Sequence, residues 1–81
     1  MIGVLTQTRK GGKYKLREPM KVLFMHLPEL GRAFFGWDVD SESGRHIQTS
    51  KVTVTEYMGG QLYRFVTKSH SEYLLHVHEG E

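Results

Sequence analysis

The side chains with the most chemistry within reach are the histidines His26, His46, His70, His76 and His78. His76 and His78 are two residues apart, so a strand would present both on one face. Joined by His70 or His46, they are candidate ligands for zinc, copper or nickel, which imidazole suits. Glu79 or Glu81 would be needed to complete such a site. No spacing brings the histidines together with a basic phosphate clamp, as metal-free phosphate hydrolysis would require. They read as surface and structural imidazoles, and no metal is assigned.

Asp38-Val39-Asp40-Ser41-Glu42-Ser43-Gly44 has the look of a calcium loop. An EF-hand needs glycine at its sixth position and glutamate at its twelfth. Counted from Asp38, those positions hold Ser43 and Thr49. The stretch reads as a solvated acidic connection. There is no nucleophile elbow, and cysteine is absent. The chain reads as a protein that is not an enzyme and needs no cofactor.

The best functional candidate is a basic row. Lys13, Lys15 and Arg17 alternate, so a strand would project all three from one face, with Arg9 and Lys10 at the tip of the preceding turn. Such a row could meet phosphates. Trp37, Phe35 or Tyr63 could add stacking surfaces if exposed on a sheet, as in small nucleic-acid-binding barrels. Arg9, Lys10, Lys13, Lys15, Arg17 and Trp37 are therefore the candidate ligand- or nucleic-acid-binding residues. The charges also have a plainer reading. Residues 1–21 are basic apart from Glu18, and 69–81 carry Glu72, Glu79 and Glu81 with no Lys or Arg. That asymmetry suits an ordinary solvated surface equally well.

These residues must be held by a small fold. The 81 residues make one domain, 1–81, with a core small enough to favour self-association into a homo-oligomer. Apolar residues are 38% and charged residues 25%, an ordinary globular balance. No apolar run approaches the ~20 residues that span a bilayer. The start, MIGVLTQTRK, has no basic region followed by an apolar one. The absence of cysteine rules out a disulfide scaffold. The expectation is a cytoplasmic protein with no membrane role.

Lys51–Lys68 is the clearest architectural signal: two β-branched and aromatic runs around Gly59-Gly60. A two-residue turn there pairs Val54 with Phe65 and Val52 with Thr67 on the core face. It also pairs Thr53 with Val66 and Thr55 with Arg64 on the other face, and sets Glu56 opposite Tyr63. Trp37 is expected to join Val52, Val54 and Phe65 in the core, because a barrel of this size needs its aromatics inside. Ile2–Thr8 and Tyr14–Arg17 read as a first hairpin with a loop over 10–12, pairing Thr6 with Leu16 and Thr8 with Tyr14. Lys21–Leu27 reads as a strand or an extended segment crossing the core. Pro28–Gly31 reads as a single helical turn or a tight loop. Ala33–Val39 reads as a strand in which Gly36 marks a bulge or a close backbone approach. Arg45–Ser50 is at least partly extended. In a last strand, Tyr73–His78, Tyr73, Leu75 and Val77 face in, and Leu74, His76 and His78 face out. The fold class is all-β, or β-dominated α+β: a small barrel or roll of about six to seven short antiparallel strands with at most one helical turn.

Thr49-Ser50-x-Val52, a glycine-containing hairpin, and Thr67-x-Ser69-x-Ser71-x-Tyr73-x-Leu75, together with Trp37 and Gly44, cover about residues 37–75. This arrangement resembles small β-rich accessory proteins of bacteriophages, prophages and plasmids. The resemblance implies a protein of a mobile element and brings no catalytic residues. The residues supply a structural reason of their own. The hydroxyls of Thr49 and Ser50 can bond nearby backbone at a strand corner, and those of Ser69 and Ser71 can do so at the next turn. The functional expectation is a non-enzymatic protein of phage or mobile-element type that blocks or sequesters a host protein or its ligand. The alternative is nucleic-acid binding through the basic first hairpin.

Overall fold

In the computed structural model, which describes residues 1–12, 15–16 and 18–78, the chain is a closed antiparallel barrel. Its strands are β1 (Ile2–Arg9), β2 (Met20–Phe24), β3 (Ala33–Asp38), β4 (His46–Gly59), β5 (Leu62–Thr67) and β6 (Glu72–His78). Each pairs with the next, and β6 closes on β1 from Ile2↔His78 to Arg9↔Glu72. Among the described residues there is no helix. Pro28–Gly31 is a tight loop: the Arg32 N–H closes on the Glu29 carbonyl at 3.2 Å, and Leu30 bridges Val52 in parallel.

Alternation builds the interior. Met20, Val22 and Phe24 of β2 and Tyr73, Leu75 and Val77 of β6 are buried, with less buried residues between them. Rings from four strands run in contact through the core: Phe24–Phe34 at 5.7 Å, Phe34–Phe65 at 5.2 Å and Phe65–Tyr73 at 5.1 Å. Each buried ring contributes roughly 1.5–3 kcal/mol by leaving water, and each ring pair adds about 0.5–1.5 kcal/mol. This line of rings runs through a single core cluster with Leu5, Val22, Ile47, Val52 and Leu75.

Among the described residues the expected first hairpin is not formed. β2 takes one edge of β1 over Ile2–Leu5, and β6 runs along the other for its whole length, setting Thr6 opposite Leu74. Lys15 and Leu16 are not in a strand. Leu16 instead drops into the core and donates its N–H to Gln7 Oε1 at 2.9 Å. The remainder of that expected strand, Tyr14 and Arg17, and the neighbouring Lys13 lie outside the described residues.

The central hairpin forms with a different register. Val52↔Thr67 is as expected, but Val54 pairs with Val66, Thr55 with Phe65, Glu56 with Arg64 and Tyr57 with Tyr63. Irregularities at Thr53 and Met58 cause the slip, and the turn itself is Gly60-Gln61. An extra residue inverts every later side chain. Val54 is therefore 42% exposed and Thr55 faces inward opposite Phe65. Parity also moves Trp37. Phe34 and Gly36 point into the barrel, so Phe35 and Trp37 point out, and Phe34 is the core aromatic of β3. The irregularity of β3 lies between Ala33 and Phe35, not at Gly36.

β4 is one 14-residue strand that changes partner midway. It pairs with β3 through Lys51 and with β5 from Val52. Hydroxyls hold that corner. Thr49 Oγ1 accepts the Phe34 N–H (3.0 Å) and donates to the Ser50 carbonyl (2.7 Å). Ser50 Oγ accepts the Ser69 N–H (3.2 Å), and Ser71 Oγ accepts the Gly11 N–H (2.9 Å). The Thr/Ser motif thus joins the β3–β4–β5 corner to the β5–β6 turn and to the chain leaving β1.

Candidate binding surface

Arg9, Lys10 and Lys15 of the predicted basic segment are among the described residues. Arg9 ends β1, and its Nε donates to the His70 carbonyl at 3.1 Å. Lys10 follows it, exposed. Lys15 lines a groove of about 490 Å³ at the same end of the barrel, with Lys21 and Arg45 but also Glu18, Asp38 and Asp40. Among its described lining residues, cations and carboxylates are equal in number, which is not the single-sign field that tracks a phosphate backbone. Lys13 and Arg17 lie outside the described residues.

Trp37 stands on a different surface. Its indole is 39% exposed on the outer side of β3, edge-on to Phe35 at 4.7 Å, and Phe35 in turn stacks on His46 at 5.1 Å. The registers place Trp37 in a row across five strands: His78, Ile2, Leu23, Trp37, His46. Leu23 is 43% exposed, and Ile2, Val4 and Phe35 are half-buried. Val4 and Lys21 belong to the neighbouring row, with His76 beyond them. Beside Ile2 and Val4, Gly3 supplies no side chain, and a depression of about 310 Å³ lies there, bounded by Lys21 and His78. Apolar outer positions on three adjacent strands make this a surface feature that the core does not account for, apart from the exposed Val54, Tyr57 and Met58 on the β4 arm.

Phe35 was named from the sequence as a possible stacking ring and His46 as a possible metal ligand; Ile2, Val4 and Leu23 were not singled out, although a signal was present. Val22, Leu23, Phe24 and Met25 are apolar at both parities. A barrel has one interior, so a strand apolar on both faces must expose one of them. Which face is exposed depends on registry.

The histidines are spread out. His46 is at the start of β4, while His76 and His78 are on the outside of β6 with ring centroids 4.9 Å apart. Among the described residues, no three of His, Asp or Glu are grouped so as to hold a metal ion. The organised charge is elsewhere. Glu72 accepts from Thr8 Oγ1 (2.7 Å) and from Arg64 Nε (3.0 Å) and Nη2 (2.8 Å). The Thr8 hydroxyl first, and the Arg64 guanidinium next, hold its carboxyl below the usual glutamate range. Among the described residues no helix is long and apolar enough to cross a membrane, a statement that leaves β-barrel insertion aside.

No family model, no curated protein and no solved structure matches this chain.

Proposed function

We propose that this is a non-catalytic binding protein that blocks or sequesters a host macromolecule, or that macromolecule's ligand, through the outer face of β1–β3. The observation that carries the reading is the row Ile2–Leu23–Trp37, apolar side chains held outside a closed barrel whose interior is already filled. Aromatic and aliphatic anchors at the centre of a patch, with polar groups around them, are the usual energetic core of a protein interface. The resemblance to phage and plasmid accessory proteins favours a host protein in the cytoplasm as the partner.

The test is capture from host lysate followed by a functional assay of what is captured. The bound protein should be lost when Trp37→Ala is combined with Leu23→Lys, and retained when Arg9→Glu is combined with Lys15→Glu. Its activity should fall on binding the unaltered protein. Retention by the Trp37/Leu23 variant would sink the proposal. The alternative, nucleic-acid binding through the basic segment, has less support: Arg9 is engaged with the His70 carbonyl, and Lys15 sits among carboxylates.

Self-association is supported by a separate observation. From Thr53 to Gly59, β4 has β5 as its one strand partner among the described residues; apart from Thr55 Oγ1, which donates to the Pro28 carbonyl at 3.5 Å, its other edge is offered to a second copy. Sedimentation over a range of concentrations should reveal the dimer; a single monomeric species throughout would exclude it.

A further inference from the structure

We infer that the outer face of β1–β3 takes a protein segment in which an apolar anchor is flanked by carboxylates. This rests on the reading of that face as the binding surface and adds the chemistry of what binds there.

The argument is from the polar groups around the apolar row. The outward positions of β1 are Ile2, Val4, Thr6 and Thr8, those of β2 are Lys21 and Leu23, and β3 offers Phe35 and Trp37. None is a carboxylate. The strands on either side add His46, His76 and His78. On these strands, the outward carboxylates among the described residues lie away from the apolar row: Glu72, at the far end of β6, is held by Arg64 and Thr8, and Glu56, in the part of β4 that pairs with β5, stands opposite Arg64. Asp38 ends β3 beside the groove that Lys21 also lines. Lys21, which also borders the groove of Glu18, Asp38 and Asp40, and the exposed imidazoles of His46 and His76 bring N–H donors to the rim of an apolar floor, and acceptor groups on the partner would complement them. The depression by Ile2 and Val4, with Lys21 and His78 at its sides, combines both features in one place.

A nucleic acid would also bring anions, but the face suits it poorly. Its floor is partly aliphatic, while base stacking needs free aromatic planes. Phe35 is already occupied by Trp37 and His46. Lys21 is the one fixed cation among those outward positions, where a phosphate backbone would need several.

A random peptide library selected on the immobilised protein tests this, with Trp37→Ala as the counter-selection. Peptides that depend on Trp37 should combine aromatic or large aliphatic residues with Asp or Glu. The best of them should bind Lys21→Glu about tenfold more weakly. Circular dichroism confirms that both variants remain folded. Trp37-dependent peptides with no acidic bias would overturn the inference and leave the binding face standing. No Trp37-dependent peptide at all would overturn both. A single-stranded oligonucleotide held through Trp37 more tightly than any selected peptide would overturn the protein segment in favour of nucleic acid.

Discussion

Two glycine pairs, Gly11-Gly12 and Gly59-Gly60, do opposite work in this barrel. At the second, Gly59 (φ 86°) and Gly60 (φ 59°) are left-handed, and Gln61 (φ 65°) follows them. Nothing lies within 4 Å of where a Cβ would stand on either glycine. Glycine is needed there for its conformational freedom. Gly11 and Gly12 have no positive φ. A Cβ on Gly11 would run into the Ser69 carbonyl and the His70–Ser71 peptide. Glycine is needed there because it has no volume. One pair makes a local turn; the other lets two distant segments touch. The difference follows from the flanks: β4 and β5 pair with each other, whereas both edges of β1 are claimed by β2 and β6.

Gly11→Ala is the most severe way to break the comparison. Backbone cannot give way as a flexible side chain can, so the segment must lift and lose its bond to Ser71 Oγ. A loss of about 3 kcal/mol or more is expected in urea unfolding. That is a large share of the roughly 4–12 kcal/mol typical of a domain this size. Gly60→Ala should cost about 1–2 kcal/mol through left-handed strain alone, and Gly60→Asn should recover much of it. If Gly60→Ala proved worse than Gly11→Ala, the two roles would be exchanged. Gly12→Ala meets only the Ser69 side chain, at 3.3 Å, and should stay within about 1 kcal/mol of the parent in thermal melts.

Acid should sharpen the same contrast more gently. The depressed carboxyl of Glu72 stabilises the fold above the ordinary glutamate range, and that contribution is lost as pH falls through its lowered value. Glu72 adjoins the turn that Gly11 touches. Hydrogen exchange should therefore quicken first around residues 9–11 and 70–72 in acid, with 57–63 following the rest of the barrel. Uniform loss of protection would show that Glu72 acts on the whole fold rather than on that junction.

Much of the fold was legible because it is local. Alternation in Tyr73–His78 named its inner residues, and the runs flanking Gly59-Gly60 named a hairpin. Thr49, Ser50, Ser69 and Ser71 were readable as corner hydroxyls because short polar side chains bond nearby backbone wherever a strand turns. The candidate site was legible at Trp37 and Phe35, named as rings that an exposed sheet face could offer, although Trp37 was also expected in the core. Arg9, Lys10 and Lys15 were grouped on the assumption that neighbours in sequence pair as a hairpin. β1 pairs instead with β2 and β6, and Lys15 is not in a strand.

By itself the sequence determined an all-β chain of short strands, the hairpin at Gly59-Gly60 and the inward set of the last strand, since each depends on side-chain period or turn chemistry within a few residues. Tertiary structure alone decided closure between β1 and β6, the parity that puts Phe34 inside and Trp37 outside, and the use of Gly11 as a contact point. The physical reason is the two-residue period of a strand. A shift of one residue exchanges its faces, and where both faces are apolar, only pairing with distant strands selects which of them becomes the core.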